Sequence, residues 1–273
     1  MTVEKVSPKK KIPKTESFKK PIIIGGLIAV VAITGIISGI IIFLEMPKRG
    51  TLIVGITGEK IESIEPLTYI NNGDQILICH ITETLFENEY IDGKSQIKNN
   101  LAIGYEWNTN ATEFTCFLRE GVKFHDGTPF NAQSVKWNFD RVSQIIDPAD
   151  PFIYWWGYLF FLPDGRWIIN KTQVIDPYTI KFFLNDAFVP FQAFLTHSTT
   201  SILSPTSTPA NRTLVIQVDK LIGTGPFTYD KYNPDIDITL YRNQNYWGIK
   251  PKIDKIILSS FPGNLTTRLD ALW

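Results

Sequence analysis

Few side chains in this sequence have the types and spacing that chemistry needs. The two cysteines, Cys79 and Cys116, stand 37 positions apart, so there is no C-x-x-C pair for redox or zinc chemistry. Both fall at apolar positions of predicted regular elements, where a free cysteine packs as a small hydrophobe. A disulfide between them, permitted in an oxidising compartment, is the alternative. The three histidines, His80, His125 and His197, are scattered, and none has a second ligand at metal-binding spacing. His125-Asp126 has the order of a base and its orienting acid, but Gly127 follows, and Asp-Gly reads as a turn. H-E-x-x-H and G-x-S-x-G are absent. No catalytic residue, metal site or cofactor is therefore predicted. Glu59, in the loop after the first predicted strand, is the one candidate for contact with a ligand. A different chemistry is open to Asn110, Asn170, Asn211 and Asn264, each the first residue of an N-x-S/T sequon, the acceptor sequence for N-linked glycans.

The elements around these residues follow from periodicity. Phe114, Cys116 and Leu118 alternate with Thr115, Phe117 and Arg119, which predicts a strand. Glu120-Gly121 breaks it, residues 122–124 return, and Asp126-Gly127 turns. Asn131 is placed to cap a helix whose apolar face is Ala132, Val135, Phe139 and Val142. Residues 51–57 predict a buried strand, the first of the globular part. Residues 74–86 predict a helix with Ile78, Ile81, Thr82 and Leu85 on one side. Residues 172–184 read as a strand interrupted at Asp176-Pro177, residues 190–195 as a short helix, and residues 198–212 as a surface loop rich in Ser, Thr and Pro. Ile236, Ile238 and Leu240 predict a half-buried strand, residues 253–260 another, and Asn264 the cap of a helix through Leu265, Leu269 and Leu272. The aromatic run 152–162 is too short to span a bilayer and reads as packed interior, with a cleft or partner surface as the alternative.

The segment from Leu118 to Val142, LREGVKFHDGTPFNAQSVKWNFDRV, resembles the signature of extracellular solute-binding proteins of family 5, the oligopeptide, dipeptide and nickel import class. The resemblance continues at residues 174–180, at Gly223-Thr224-Gly225-Pro226-Phe227, at residues 242–248 and at residues 266–272, in the family's order. It implies an α/β fold of the periplasmic-binding-protein class II type. Residues 50 to about 80 and 175–273 would form the first lobe, and residues 81 to about 174 an inserted α/β subdomain. The family's second lobe is absent from these 273 residues, so the acidic residue that captures a peptide's N-terminus in peptide-binding relatives has no counterpart here.

Charge and hydropathy set the location. Residues 1–49 hold nine Lys/Arg and three Glu, which leaves 18 basic against 24 acidic residues in 50–273. That acidic balance excludes nucleic acid, whose binding needs clustered positive charge. Residues 1–21 form a basic cytoplasmic tail with seven Lys, and residues 22–44 run without a charge, long enough to cross a bilayer as a single-pass anchor. Lysines before the span put the N-terminus inside and residues 50–273 outside. A cleaved signal peptide is the alternative. The resemblance implies a solute-binding component, not an enzyme, that passes a peptide or other small solute to an ABC permease driven by ATPase subunits. Two other readings remain open: a sensor or adhesion ectodomain on the same fold, and a nonfunctional gene fragment.

Overall fold

A computed structural model describes residues 50–57, 61–69, 71–147, 157–215, 219–233 and 237–261. The tail 1–21, the span 22–44, Glu59, Asn264 with its predicted helix, and residues 152–156 of the aromatic run lie outside the described residues. Among the described residues no helix is long and apolar enough to cross a membrane.

The signature folds as its pattern dictates. Strand β5 (Glu113–Leu118) buries Phe114, Cys116 and Leu118 and leaves the alternate residues half-exposed. It stands inside an antiparallel four-stranded sheet with β4 (Ala102–Trp107), β6 (Ile169–Asp176) and β7 (Thr179–Leu184), ordered β4-β5-β7-β6. The 176–177 interruption is the turn between β6 and β7. Gly121 and Gly127 adopt φ of 76° and 84°, which glycine reaches without Cβ strain. Helix α2 (Ala132–Ile145) covers the sheet with Ala132, Val135, Phe139 and Val142. Asn131 caps it, and Ser134 Oγ returns the contact to the Asn131 N–H in a capping box, an arrangement worth about 1 kcal/mol. This sheet runs on to Leu184.

A separate sheet is ordered β1-β10-β9-β8, from β1 (Thr51–Thr57), β8 (Phe227–Asn233), β9 (Asp237–Arg242) and β10 (Lys255–Phe261). Its core joins Ile56, Ile238, Leu240, Ile256 and Leu258 to Leu77, Ile78 and Ile81 of α1 (Asn72–Ile81). The burial expected of β1 is corrected. Among the described residues this strand is the edge of its sheet and pairs with β10 alone, in parallel. Leu52 is 46% and Ile53 62% exposed. An apolar run signals cover on both faces; here its first residues are open.

Three further expectations change. Helix α1 stops at Ile81, five residues short of the predicted end, because Thr82 turns extended and its hydroxyl bonds back to the Ile78 carbonyl. The chain then forms a hairpin that periodicity missed, β2 (Phe86–Ile91) and β3 (Lys94–Asn99). Asp92 and Gly93, both at positive φ, make its turn. The run expected as a surface loop is largely interior: Ser198, Thr199, Thr200, Ser201 and Ser204 are buried. Cys79 and Cys116 are both free. Cys116 is buried in β5 as expected, but Cys79 is exposed on α1.

One buried ion pair ties α2 to the loop before α1. The Arg141 guanidinium donates to both Glu65 carboxylate oxygens and to the carbonyls of Pro209 and Arg212. Glu65 also accepts from the Leu67 and Leu214 amides. Glu65 lies between Ile64 of one core and Leu67 of the other.

Candidate functional site

A cleft of about 520 Å³ opens where α1, β2 and the 196–201 segment meet. Helix α1 presents Gln75 and Cys79, the extended stretch after it Thr82, Glu83 and Thr84, and the start of β2 Glu87 and Asn88. Asn100, His197, Ser198 and Tyr246 complete the polar wall. Each is held by its own bonds. The Ser198 hydroxyl meets the Tyr69 hydroxyl at 2.8 Å and accepts from Gln75 Nε2 at 3.3 Å. Asn88 Nδ2 donates to Thr196 Oγ1 at 2.8 Å, and Asn100 Nδ2 to the Thr84 carbonyl at 3.1 Å. His197 Nδ1 accepts from the Thr199 N–H, and the ring stacks on Tyr69. Burial lowers the His197 pKa.

Glu83 anchors this wall. Its Oε1 accepts from the Tyr246 hydroxyl at 2.7 Å, and its Oε2 from Thr224 Oγ1 at 2.7 Å and Trp247 Nε1 at 2.8 Å. Its carbonyl accepts from Ile202 N–H. Three segments thus converge on one residue. Arg119, at the end of β5, lays its guanidinium over the Trp247 ring, 4.5 Å from the centroid. Glu83 is 9% exposed. Burial pushes its pKa up, against the lowering effect of the three donors. Tyr246 is raised as well, by burial first and by the Glu83 carboxylate second.

The sign of that shift gives an expected pH dependence. A carboxyl raised in the folded state contributes stability fully present below the unfolded value near 4.5 and lost as pH rises through the folded value. Replacing Glu83 by Gln removes that titration. Urea melts at pH 4.5 and pH 7 should show the difference between variant and parent moving in the variant's favour at pH 7. A difference that stays constant or moves the other way would mean the three donors outweigh burial.

His125-Asp126 serves the turn, as the sequence indicated. The His125 amide donates to the Gly223 carbonyl and its Nε2–H to the Gly225 carbonyl. Burial works to raise the Asp126 pKa, but hydrogen bonds from Ser204, Thr128 and Ser207 overcome it and hold the carboxyl at about 2.

Of the described residues predicted as sites, Asn110, Asn170 and Asn211, none lines the cleft, whereas Cys79 and His197, to which no chemistry was assigned from sequence, do. Asn110, Asn170 and Asn211 lie in a hairpin loop, in β6 and in the loop before Leu214, all exposed. What sequence reasoning missed is Glu83. The blocks that receive it, Gly223–Phe227 and 242–248, had been noted, but no local pattern joins residues 141 and 164 positions apart.

Residues 96–272 match the family model for bacterial extracellular solute-binding proteins, family 5 (middle region). The chain belongs to that family. Family 5 relatives include the glutathione-binding protein GsiB of Shigella flexneri, 35% identical over 169 residues. GsiB of Escherichia coli K12 is 34% identical over 168 residues. Each match covers 61% of this chain but 30% of the relative, so the matched part is under a third of those proteins' length. Among solved structures, the periplasmic binding protein DppA of Helicobacter pylori, in complex with the peptide STSA, superposes with a TM-score of 0.68 at 28% identity, over 82% of this chain and 44% of that one. A substrate-binding protein of a Sinorhizobium meliloti ABC transporter gives 0.67 at 25% identity, over 82% and 41%. These are binding proteins of transporters rather than enzymes.

Proposed function

We propose that this chain is the membrane-anchored, extracellular solute-binding component of an ATP-driven importer, and that its solute is a short peptide. The observation that carries the reading is the polar cleft beside Glu83 in a chain of this family. Its wall offers side-chain amides and hydroxyls, groups that match the alternating donors and acceptors of a peptide backbone. The named relatives bind glutathione and the peptide STSA. Residues 22–44 are the anchor, the 1–21 tail is cytoplasmic, and an ABC permease with its ATPase subunits takes the solute.

A wall grips a ligand from one side, so the expected affinity is about millimolar, about −4 kcal/mol. Resonances of His197 and Tyr246 in the full chain, held in detergent, should shift on titration with glutathione or STSA at millimolar concentration and stay fixed with glucose. No shift with either peptide, or shifts confined to residues away from the cleft, would sink the reading.

A further inference from the structure

The sequons are the one motif the solute-binding reading does not use, and the fold separates Asn110 from the asparagines that hold the structure together. Residues 108–112 join the end of β4 to the start of β5. Asn108 straps this loop: its Oδ1 accepts from the Thr112 and Glu113 amides, and its Nδ2 donates to Thr112 Oγ1. Ala111 takes a positive φ of 54°, which throws Asn110 to the loop's apex, exposed. Asn131, Asn138 and Asn243 each spend their side chains on bonds within the fold. The Asn110 carboxamide makes none.

Position matters as much as exposure. Asn100, on the cleft wall, stands just before β4, whereas Asn110 follows its far end. A six-residue strand puts about 20 Å between them. Bulk at Asn110 therefore lies at the opposite end of the sheet from the cleft. Asn170 is at that same distal end: it is the residue skipped where β6 slips register against Leu184 and Phe183.

We propose that Asn110 is an N-glycan acceptor. This rests on the reading that residues 50–273 cross the membrane. In the step, Asn110 Nδ2 bonds to C1 of an oligosaccharide carried on a lipid diphosphate. The C1–O bond to the diphosphate breaks, the lipid diphosphate leaves, and the amide nitrogen gives up one proton to the enzyme's base. Because the folded loop locks Ala111 through bonds to Asn108 and Phe188, transfer precedes folding.

The test is translation of the full chain into microsomes that carry an oligosaccharyltransferase for N-x-S/T, with glycopeptides read by mass spectrometry and protease protection read in parallel. The expected result is a glycan on Asn110 that is lost completely in Asn110→Gln and in Thr112→Ala, and kept in Thr112→Ser, which preserves the hydroxyl. An Asn110 left bare while Asn170 or Asn211 is modified overturns the proposal, and so does a chain that is protected inside the microsome yet carries no glycan. A chain that protease destroys has not crossed the membrane, and that outcome overturns the location together with the glycan.

Discussion

Arg141→Met is expected to cost the fold about 3–5 kcal/mol, because it leaves the Glu65 carboxylate buried without its cation. Both partners are sealed: their side chains are 3% and 0% exposed. Loss on that scale is a large part of the total stability of an ordinary domain, about 5–15 kcal/mol. The damage is not local to the pair. Arg141 also satisfies the carbonyls of Pro209 and Arg212, so the 209–214 segment loses its tie to α2. Adding Glu65→Leu should restore part of the loss, since an apolar pair no longer carries a buried charge. It should not restore all of it, because the Leu67 and Leu214 amides then lack an acceptor, at about 1–3 kcal/mol each. Urea melts of both single variants and the double variant check this. A double variant as unstable as the sum of the two singles would show that the pair is not coupled.

Gly223→Ala should be the most damaging small substitution in the 223–225 loop. A Cβ at residue 223 would lie 2.4 Å from the Ile81 carbonyl oxygen and 2.7 Å from Thr82 Cα. Both are backbone atoms, so no rotamer change relieves the collision. The expected cost is about 3 kcal/mol, the upper end of ordinary overpacking. The loop must lift off the end of α1, which weakens the Gly225 N–H bond to the Ile81 carbonyl and pulls Thr224 from Glu83. Gly165→Ala is the control: a Cβ there meets nothing within 4 Å, and only its φ of 84° opposes a side chain, a penalty of about 1–2 kcal/mol. If thermal melts rank the two the other way, steric closeness is not what keeps residue 223 a glycine.

The signature strand and helix were legible because their information is local. Alternation from Phe114 to Leu118 and the i, i+3, i+4 face from Ala132 to Val142 need no distant partner to be read, and Asn131 with Ser134 forms its cap within four residues. The end of α1 was not legible, since apolar spacing continues through Leu85 while the helix is stopped by Thr82 and by glycines from a loop 140 positions on. The exposure of Leu52 and Ile53 was missed for a related reason. Apolar content says that a strand seeks cover, and only topology says which strand stands at an edge. Nothing local marks Glu83 or Glu65, because their main donors are drawn from segments 76 to 164 residues away.

The pairing of β1 with β10 has a kinetic consequence. Thr51 pairs with Lys255 and Thr57 with Phe261, so the first strand of the sheet must wait for a partner made roughly 200 residues later. The other sheet needs nothing past Leu184, and its pairings are between neighbours in an antiparallel array. Closing a long loop is entropically costly and slows the contacts that depend on it. On a chain that emerges from its N-terminus, β4 to β7 can assemble while β1 is still unpaired. Pulse-labelled hydrogen exchange during refolding should therefore find amides of β5 and β7 protected before those of β1, and simultaneous protection would show that both sheets form in one step.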